Sequence, residues 1–258
     1  WVHTSGSTGT PKPMQVEKER MMASARLTCS FLGLKEGDSA LLCMPLQYIA
    51  GKMVVVRSLV AGLKLIPVAP SGHPLKDLKE APTFAAMIPM QVFNTLQVPE
   101  ERDILMNIKH LIIGGGAIDD ALASELKDFP NQVWSTYGMT ETLSHIALRR
   151  LNGENASDWY TPFDSVNIRL SEEGTLIIHA PNVCAEELTT NDIAEINEEG
   201  KFRILGRKDN TINSGGVKIQ IEQVEARLRE HLEIPFQITS APDAKFGEIV
   251  VLIYNKVE

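Results

Sequence analysis

The stretch HLIIGGGAIDDALASELK (residues 110–127), followed by VWSTYG (residues 133–138), decides the fold. It reads as a short strand over His110–Ile113, a glycine-rich turn at Gly114-Gly115-Gly116-Ala117, a helix over Asp119–Lys127 and a second strand over Val133–Thr136. Asp119 and Asp120 stand near the helix start, where the macrodipole favours negative charge. A helix between two buried strands is the crossover that a parallel pair needs.

The same alternation runs upstream. Glu17–Leu32 reads as a helix with Met21, Met22, Ala25 and Leu32 on one face. Ser39–Met44 is a strand, Lys52–Ala61 a helix stopped by Gly62, and Leu63–Val68 a strand. Thr83–Ile88 and Met90–Leu96 repeat the pair. The expected fold class is therefore α/β, a mostly parallel sheet with helices covering it. Such sheets gather their ligands at the carboxyl ends of the strands.

From about Asp164 the pattern changes. Ser165–Leu170, Gly174–His179, Ile193–Asn197 and Phe202–Leu205 are short strands joined by the acidic turns Glu172-Glu173-Gly174 and Glu198-Glu199-Gly200. They predict a small antiparallel or barrel-like subdomain. After Gly206 comes a small α+β unit: strand Val217–Ile219, helix Ile221–His231, and strands near Phe236–Ser240 and Ile249–Tyr254. Two domains are expected, residues 1–206 and 207–258.

The chain has 258 residues, 43% hydrophobic and 22% charged, with a net charge of −8. This is an ordinary globular composition, long enough for one large or two ordinary domains. No basic patch is visible, which argues against a nucleic-acid partner but leaves a nucleotide ligand open. Cys29, Cys43 and Cys184 lie far apart with no metal-ligand spacing, and suit reduced core thiols in a cytoplasm. No run approaches the ~18 apolar residues that would span a bilayer. No signal peptide is evident. The abrupt start in a polar loop predicts a native protein longer than this chain.

Several polar stretches carry chemistry. Val2-His3-Thr4-Ser5-Gly6-Ser7-Thr8-Gly9-Thr10-Pro11-Lys12 packs hydroxyls, glycines and a lysine into one loop. Successive N–H groups can form a nest around phosphate oxygens, and Lys12 adds a point charge. The spacing is not that of a Walker loop, since Gly6 and Gly9 are too close and Lys12 follows Pro11. A Ser/Gly linker is the plain alternative. Gly114–Ala117 permits close approach of a ring or ribose, or is simply a tight turn. In Tyr137-Gly138-Met139-Thr140-Glu141-Thr142, Tyr137 offers a stacking face, Thr140 a donor to phosphate and Glu141 a hard oxygen for Mg²⁺. Taken singly, Tyr137 would be core and Glu141 a solvated charge. Arg57 lies in an otherwise apolar helix (MVVVRSLVAG, residues 53–62). It either snorkels to an edge or clamps a carboxylate.

Together and in order, these motifs resemble the adenylate-forming superfamily of acyl- and aryl-CoA synthetases, peptide-synthetase adenylation domains and luciferases. The resemblance implies that Thr4–Thr10 and Lys12 hold phosphates, that Gly114–Ala117 and Tyr137–Met139 line the adenine pocket, and that Thr140 and Glu141 act at the α-phosphate and Mg²⁺. It implies that Asp192, in Thr190-Asn191-Asp192, and Arg207 bind the ribose. Asp209 would be the hinge of a mobile C-terminal domain. Ser214, Gly215 and Gly216 would line the coenzyme A channel. Asn213 stands where the family more often shows lysine. Pro45-Leu46-Gln47-Tyr48-Ile49-Ala50-Gly51 resembles the acyl-pocket motif, with Tyr48 at the gate. The family's Gly-Lys segment of the C-terminal domain has no counterpart before Glu258, and Lys256 is not assigned that role.

Arg57 narrows the resemblance to o-succinylbenzoate–CoA ligases of menaquinone synthesis, which carry a cationic residue there. Ser144, His145 and Arg149 are weaker substrate candidates. The implied protein is a cytoplasmic AMP-forming ligase using ATP, Mg²⁺, coenzyme A and a small carboxylic acid, with no nucleic acid and no membrane insertion. Its oligomeric state is open, a homodimer included. The alternatives are another aryl- or fatty-acyl ligase, an amino-acid adenylation domain, or a non-catalytic nucleotide-binding fragment.

Overall fold

A computed structural model describes residues 2–3, 13–232 and 234–255. The Thr4–Lys12 loop lies outside the described residues. The chain forms two compact units: residues 1–167 with 179–187, and residues 168–178 with 188–258.

In the first unit, the short strands β1 (Val2–His3) and β2 (Pro13–Met14) pair antiparallel. Helix α1 (Lys18–Leu32) ends on Gly33, whose N–H returns to the carbonyls of Cys29 and Ser30. Next come β3 (Ser39–Leu42), α2 (Ile49–Ala61) and β4 (Lys64–Pro67), then β5 (Phe84–Met87), α3 (Pro89–Leu96) and α4 (Pro99–Asn107). The unit continues with β6 (His110–Ile113), α5 (Asp120–Leu126), β7 (Gln132–Gly138), β8 (His145–Arg150) and β9 (Thr161–Pro162).

The sheet order is β4-β3-β5-β6-β7-β8-β9. The first five strands are parallel, and β8 and β9 add antiparallel at one side. β5 and β6 are buried at every position, as strands covered on both faces must be. Leu41, Ala85, Leu111 and Val133 continue one core across the sheet, packed with Leu105 and Leu126 from the helices. Asp119 caps α5 by accepting from the Leu122 N–H at 2.8 Å. Gly62 closes α2 as expected, but the helix begins three residues before Lys52, at Ile49. Besides the two-residue strands β2 and β9, the helix α4 and the strand β8 were not expected. The highly charged α4 starts on Pro99, a residue preorganised for the first helical turn. β8 follows the Tyr137–Thr142 motif, whose polar residues had obscured a hairpin.

The second unit contains β10 (Asn167–Leu170), β11 (Thr175–His179), β12 (Leu188–Ile196) and β13 (Phe202–Arg207), arranged in that order in one four-stranded sheet. β11–β12 and β12–β13 pair antiparallel. A second sheet, ordered β15-β14-β17-β16, is built from β14 (Thr211–Ser214), β15 (Val217–Gln220), β16 (Phe236–Asp243) and β17 (Gly247–Tyr254). Helix α6 (Ile221–Arg229) separates β15 from β16. Strand β14 lies where only loop was expected. Gly215 and Gly216, at φ of 60° and 88°, form the two-residue turn joining it to β15, a conformation that both central positions of such a hairpin require.

All three cysteines are free, with Cys29 and Cys43 buried. Among the described residues, no helix is long and apolar enough to cross a membrane.

Candidate active site

Four loops leave the carboxyl ends of parallel strands in the first unit, the edge where ligands of such sheets bind. Residues 43–48 follow β3, Ile88 follows β5, Gly114–Ala117 follow β6, and Met139–Ser144 follow β7. The topology thus brings the Tyr48, Gly114–Ala117 and Tyr137–Thr142 motifs to one edge.

The turn after β7 is tightly determined. Thr142 is fully buried, and its hydroxyl accepts from the Met139 N–H at 3.0 Å and donates to the Ser144 carbonyl at 2.7 Å. The Leu143 N–H returns to the Thr140 carbonyl at 2.9 Å. Leu143 itself sits at φ 64°, a left-handed backbone that a leucine adopts only under constraint. Gly138 faces His145 across the β7–β8 pair, and a Cβ there would strike the Ser144 carbonyl and the His145 Cα. The turn leaves Thr140 buried and Glu141 exposed. Among the described residues no cluster of three or more His, Cys, Asp or Glu could hold a metal. One exposed carboxylate nevertheless fits Mg²⁺, which usually takes one or two protein carboxylates and completes its shell with phosphate and water.

Tyr137 is half-buried in β7, its ring 5.8 Å from that of Tyr160. Arg149 lies 5.3 Å above the Tyr160 ring and pairs with Asp158 at 3.2 Å. Its charge is therefore already engaged. Gly115, Gly116 and Ala117 form an exposed turn, and Tyr48 is the 44% exposed N-cap residue of α2.

Arg57 behaves differently from either surface option. It is 2% exposed, so it does not snorkel. Its Nη2 donates to Ser144 Oγ at 2.5 Å, and its Nε has no partner among the described residues. Burial pushes the guanidinium down from 12.5 to about 10, with only the Cys29 thiol as a weak opposing influence. The group stays charged at neutral pH. His145 is buried against the same cation. Desolvation first, and Arg57 second, hold its imidazole well below 6.5, hence neutral. The fold thus brings Arg57, Ser144 and His145 together. Sequence reading missed Thr28 of α1, whose hydroxyl lies 3.0 Å from His145 Nε2. A lone threonine in a helix gives no signal of this.

In the second unit, Asp192 and Arg207 face each other across β12 and β13. Arg207 Nη1 donates to Asp192 Oδ1 at 3.2 Å and Nη2 to Asp209 Oδ2 at 2.7 Å. The hydrogen bond from Arg207 is the main influence lowering the Asp209 carboxyl below its usual range. The expected ribose and hinge residues are therefore linked by one guanidinium.

A family model described as AMP-binding enzyme matches residues 1–183. The chain belongs to this family of AMP-binding enzymes. That agrees with the resemblance to the adenylate-forming superfamily carried by its motifs. A 2-succinylbenzoate–CoA ligase of Salmonella typhimurium is 28% identical over 97% of this chain and 56% of its own length. The acyl-CoA synthetase (AMP-forming)/AMP-acid ligase II-like protein of Dyadobacter fermentans superposes with a TM-score of 0.77 at 36% identity, over 100% of this chain and 75% of its own. The o-succinylbenzoate coenzyme A synthetase of Bacillus subtilis, in complex with ATP and magnesium ion, shares the fold with a TM-score of 0.77 at 24% identity, over 99% of this chain and 60% of its own. The chain spans 56% of the length of the Salmonella typhimurium relative and 59% of that of a 2-succinylbenzoate–CoA ligase of Bacillus cereus.

Proposed function

We propose that the protein containing this chain is a cytoplasmic AMP-forming acyl-CoA ligase that activates o-succinylbenzoate for menaquinone synthesis. The observation that carries the substrate is Arg57, a buried cation without a carboxylate partner among the described residues. Such a charge is expensive to bury alone and is offset when an anionic ligand arrives. A dicarboxylic acid supplies that anion while its other carboxylate reacts. The names of the relatives support the same reading.

In the first step the substrate carboxylate attacks the α-phosphate of ATP, forming an acyl-adenylate and releasing pyrophosphate. Thr140 donates to the α-phosphate, and the Thr4–Lys12 loop takes the outer phosphates. Glu141 would hold Mg²⁺, which supplies charge neutralisation at the phosphates. Positioning and fixed charge do most of the work in such a transfer. Tyr137 stacks on the adenine, Gly114–Ala117 line its pocket, and Asp192 with Arg207 takes the ribose hydroxyls. In the second step residues 207–258 turn about Asp209, and Ser214-Gly215-Gly216 lines the passage for coenzyme A. Its thiol attacks the acyl carbon and AMP leaves, giving the thioester. Tyr48 gates the acyl pocket.

The test is pyrophosphate release by the intact gene product with ATP and Mg²⁺. It compares o-succinylbenzoate with benzoate, a medium-chain fatty acid and the amino acids, on wild type and Arg57→Ala. Preference for o-succinylbenzoate that disappears in Arg57→Ala supports ligase and clamp together. Preference for another acid keeps the adenylation chemistry and removes this substrate. Nucleotide binding without release for any acid overturns the catalytic reading.

A further inference from the structure

Arg57 does not end at Ser144. Ser144 Oγ lies 3.2 Å from His145 Nδ1, His145 Nε2 lies 3.0 Å from Thr28 Oγ1, and Thr28 Oγ1 donates to the Ser24 carbonyl at 3.3 Å. The direction of every bond in this chain follows from proton counting. Thr28 has one hydroxyl proton and gives it to the Ser24 carbonyl, so it accepts from His145 Nε2–H. His145 is neutral, so its Nδ1 is then an acceptor. Ser144 therefore donates to Nδ1 and accepts from Arg57 with its free lone pair. A single tautomer satisfies all four links.

We propose that Thr28 and His145 are positioning residues that, through Ser144, fix the Arg57 guanidinium in the orientation that receives the substrate's second carboxylate. This rests on the substrate reading above. The relay joins three elements, with Ser24 and Thr28 on α1, Arg57 on α2, and Ser144 and His145 at the start of β8. Thr28 is completely buried and His145 7% exposed, so solvent does not substitute for a missing member. The relay occupies one N–H of the guanidinium from one side and leaves Nε uncommitted among the described residues. A protonated His145 would donate from Nδ1 to Ser144 Oγ, so Ser144 would have to accept twice and its own proton would lose its acceptor in the relay. It would also set a second cation beside the first. The arrangement works only with neutral His145 in the Nε2–H form.

The test uses the intact protein with Thr28→Val, which keeps the shape and removes the hydroxyl, Thr28→Ser, which restores it, and His145→Phe. Losing one link of a buried network, worth about one net hydrogen bond, should raise KM for o-succinylbenzoate about tenfold in Thr28→Val. The kcat, KM for ATP and turnover of benzoate should stay within about twofold. Thr28→Ser should recover most of the loss, and His145→Phe should match or exceed it. Equal damage to ATP and to both acids, or no change in any of them, overturns the proposal. A second readout needs no turnover. Selective ¹⁵N labelling should show His145 neutral with its proton on Nε2, and resolved Arg57 Nη resonances that merge in Thr28→Val as the guanidinium begins to rotate. An Nδ1–H tautomer, or Nη resonances unchanged by Thr28→Val, overturns the relay. Failure to turn over o-succinylbenzoate with the expected tautomer and resolved Nη signals would instead remove the substrate reading alone.

Discussion

Arg57→Met should make the unliganded protein more stable, although it removes a residue assigned to the site. A guanidinium lowered from 12.5 to about 10 has had its charged form penalised by about 3 kcal/mol relative to water, at about 1.36 kcal/mol per pH unit, although it stays charged at neutral pH. Against this stands the hydrogen bond to Ser144, a charge-assisted contact contributing about 1.5 kcal/mol. Methionine fills a similar apolar path with no charge to desolvate. The net expectation is a gain of about 1–2 kcal/mol, read as a higher urea midpoint at unchanged slope. Trp134 and Trp159 lie in the same unit, so intrinsic fluorescence follows its unfolding. Ligand reverses the ranking. A dicarboxylic substrate at about 100 times its Kd should stabilise the wild type by about 2.7 kcal/mol and the variant far less. A variant less stable than wild type by about 1 kcal/mol or more, without ligand, would refute the reasoning, because it would mean that Arg57 is already well paired in the folded protein.

Three further outcomes follow from individual contacts. His145 is held well below 6.5 in the fold and titrates near 6.5 when unfolded. Below pH 6.5 the unfolded state therefore binds the extra proton, and stability falls with pH by up to about 1.4 kcal/mol per unit. Urea unfolding at pH 7.0 and 5.5 should show a drop at least about 1 kcal/mol larger in wild type than in His145→Gln; equal drops would sink the idea. Gly138→Ala drives a Cβ into the Ser144 carbonyl and His145 Cα, and should cost about 2–3 kcal/mol and weaken nucleotide binding. A melting temperature within a degree of wild type would mean that the β7–β8 turn shifts freely. Asp119→Ala removes the cap on Leu122 N–H and should cost about 1 kcal/mol, with Asp119→Asn nearly neutral. Equal losses in the two variants would assign the effect to charge instead.

Much of the parallel sheet was legible because each strand is a short apolar run bounded by a glycine or polar turn. His110–Ile113 is predicted and observed with the same limits. The elements that escaped are those where another signal was stronger. The two acidic residues after Pro99 concealed α4, since helix start chemistry resembles a solvated loop when the apolar stripe is thin. The motif ending at Thr142 drew attention from β8, which begins only three residues later. In the site, loop residues with their own chemistry could be named in advance. The burial of Arg57 could not, because an arginine in an apolar helix is compatible with an edge or with the interior. Thr28 was invisible for a simpler reason. It lies 117 residues from His145, and nothing in the local sequence of α1 marks its hydroxyl as the end of a hydrogen-bond chain.

The burial of Arg57 also bears on how a ligase of the proposed kind would reject the wrong acid. Apolar pockets discriminate weakly, since one methylene changes binding by only about 1–3 kcal/mol. A buried cation discriminates more strongly, because an acid lacking the second carboxylate leaves the charge uncompensated in a site it has helped to dehydrate. The selectivity then depends on the guanidinium being unable to turn toward water or another acceptor when the wrong acid enters. A freely rotating side chain would relax and recover part of the difference. The relay through Ser144, His145 and Thr28 denies it that relaxation. On this argument the ratio of kcat/KM for o-succinylbenzoate over benzoate should fall in Thr28→Val even though Arg57 keeps its charge, and should fall further in Arg57→Met, where the charge itself is gone.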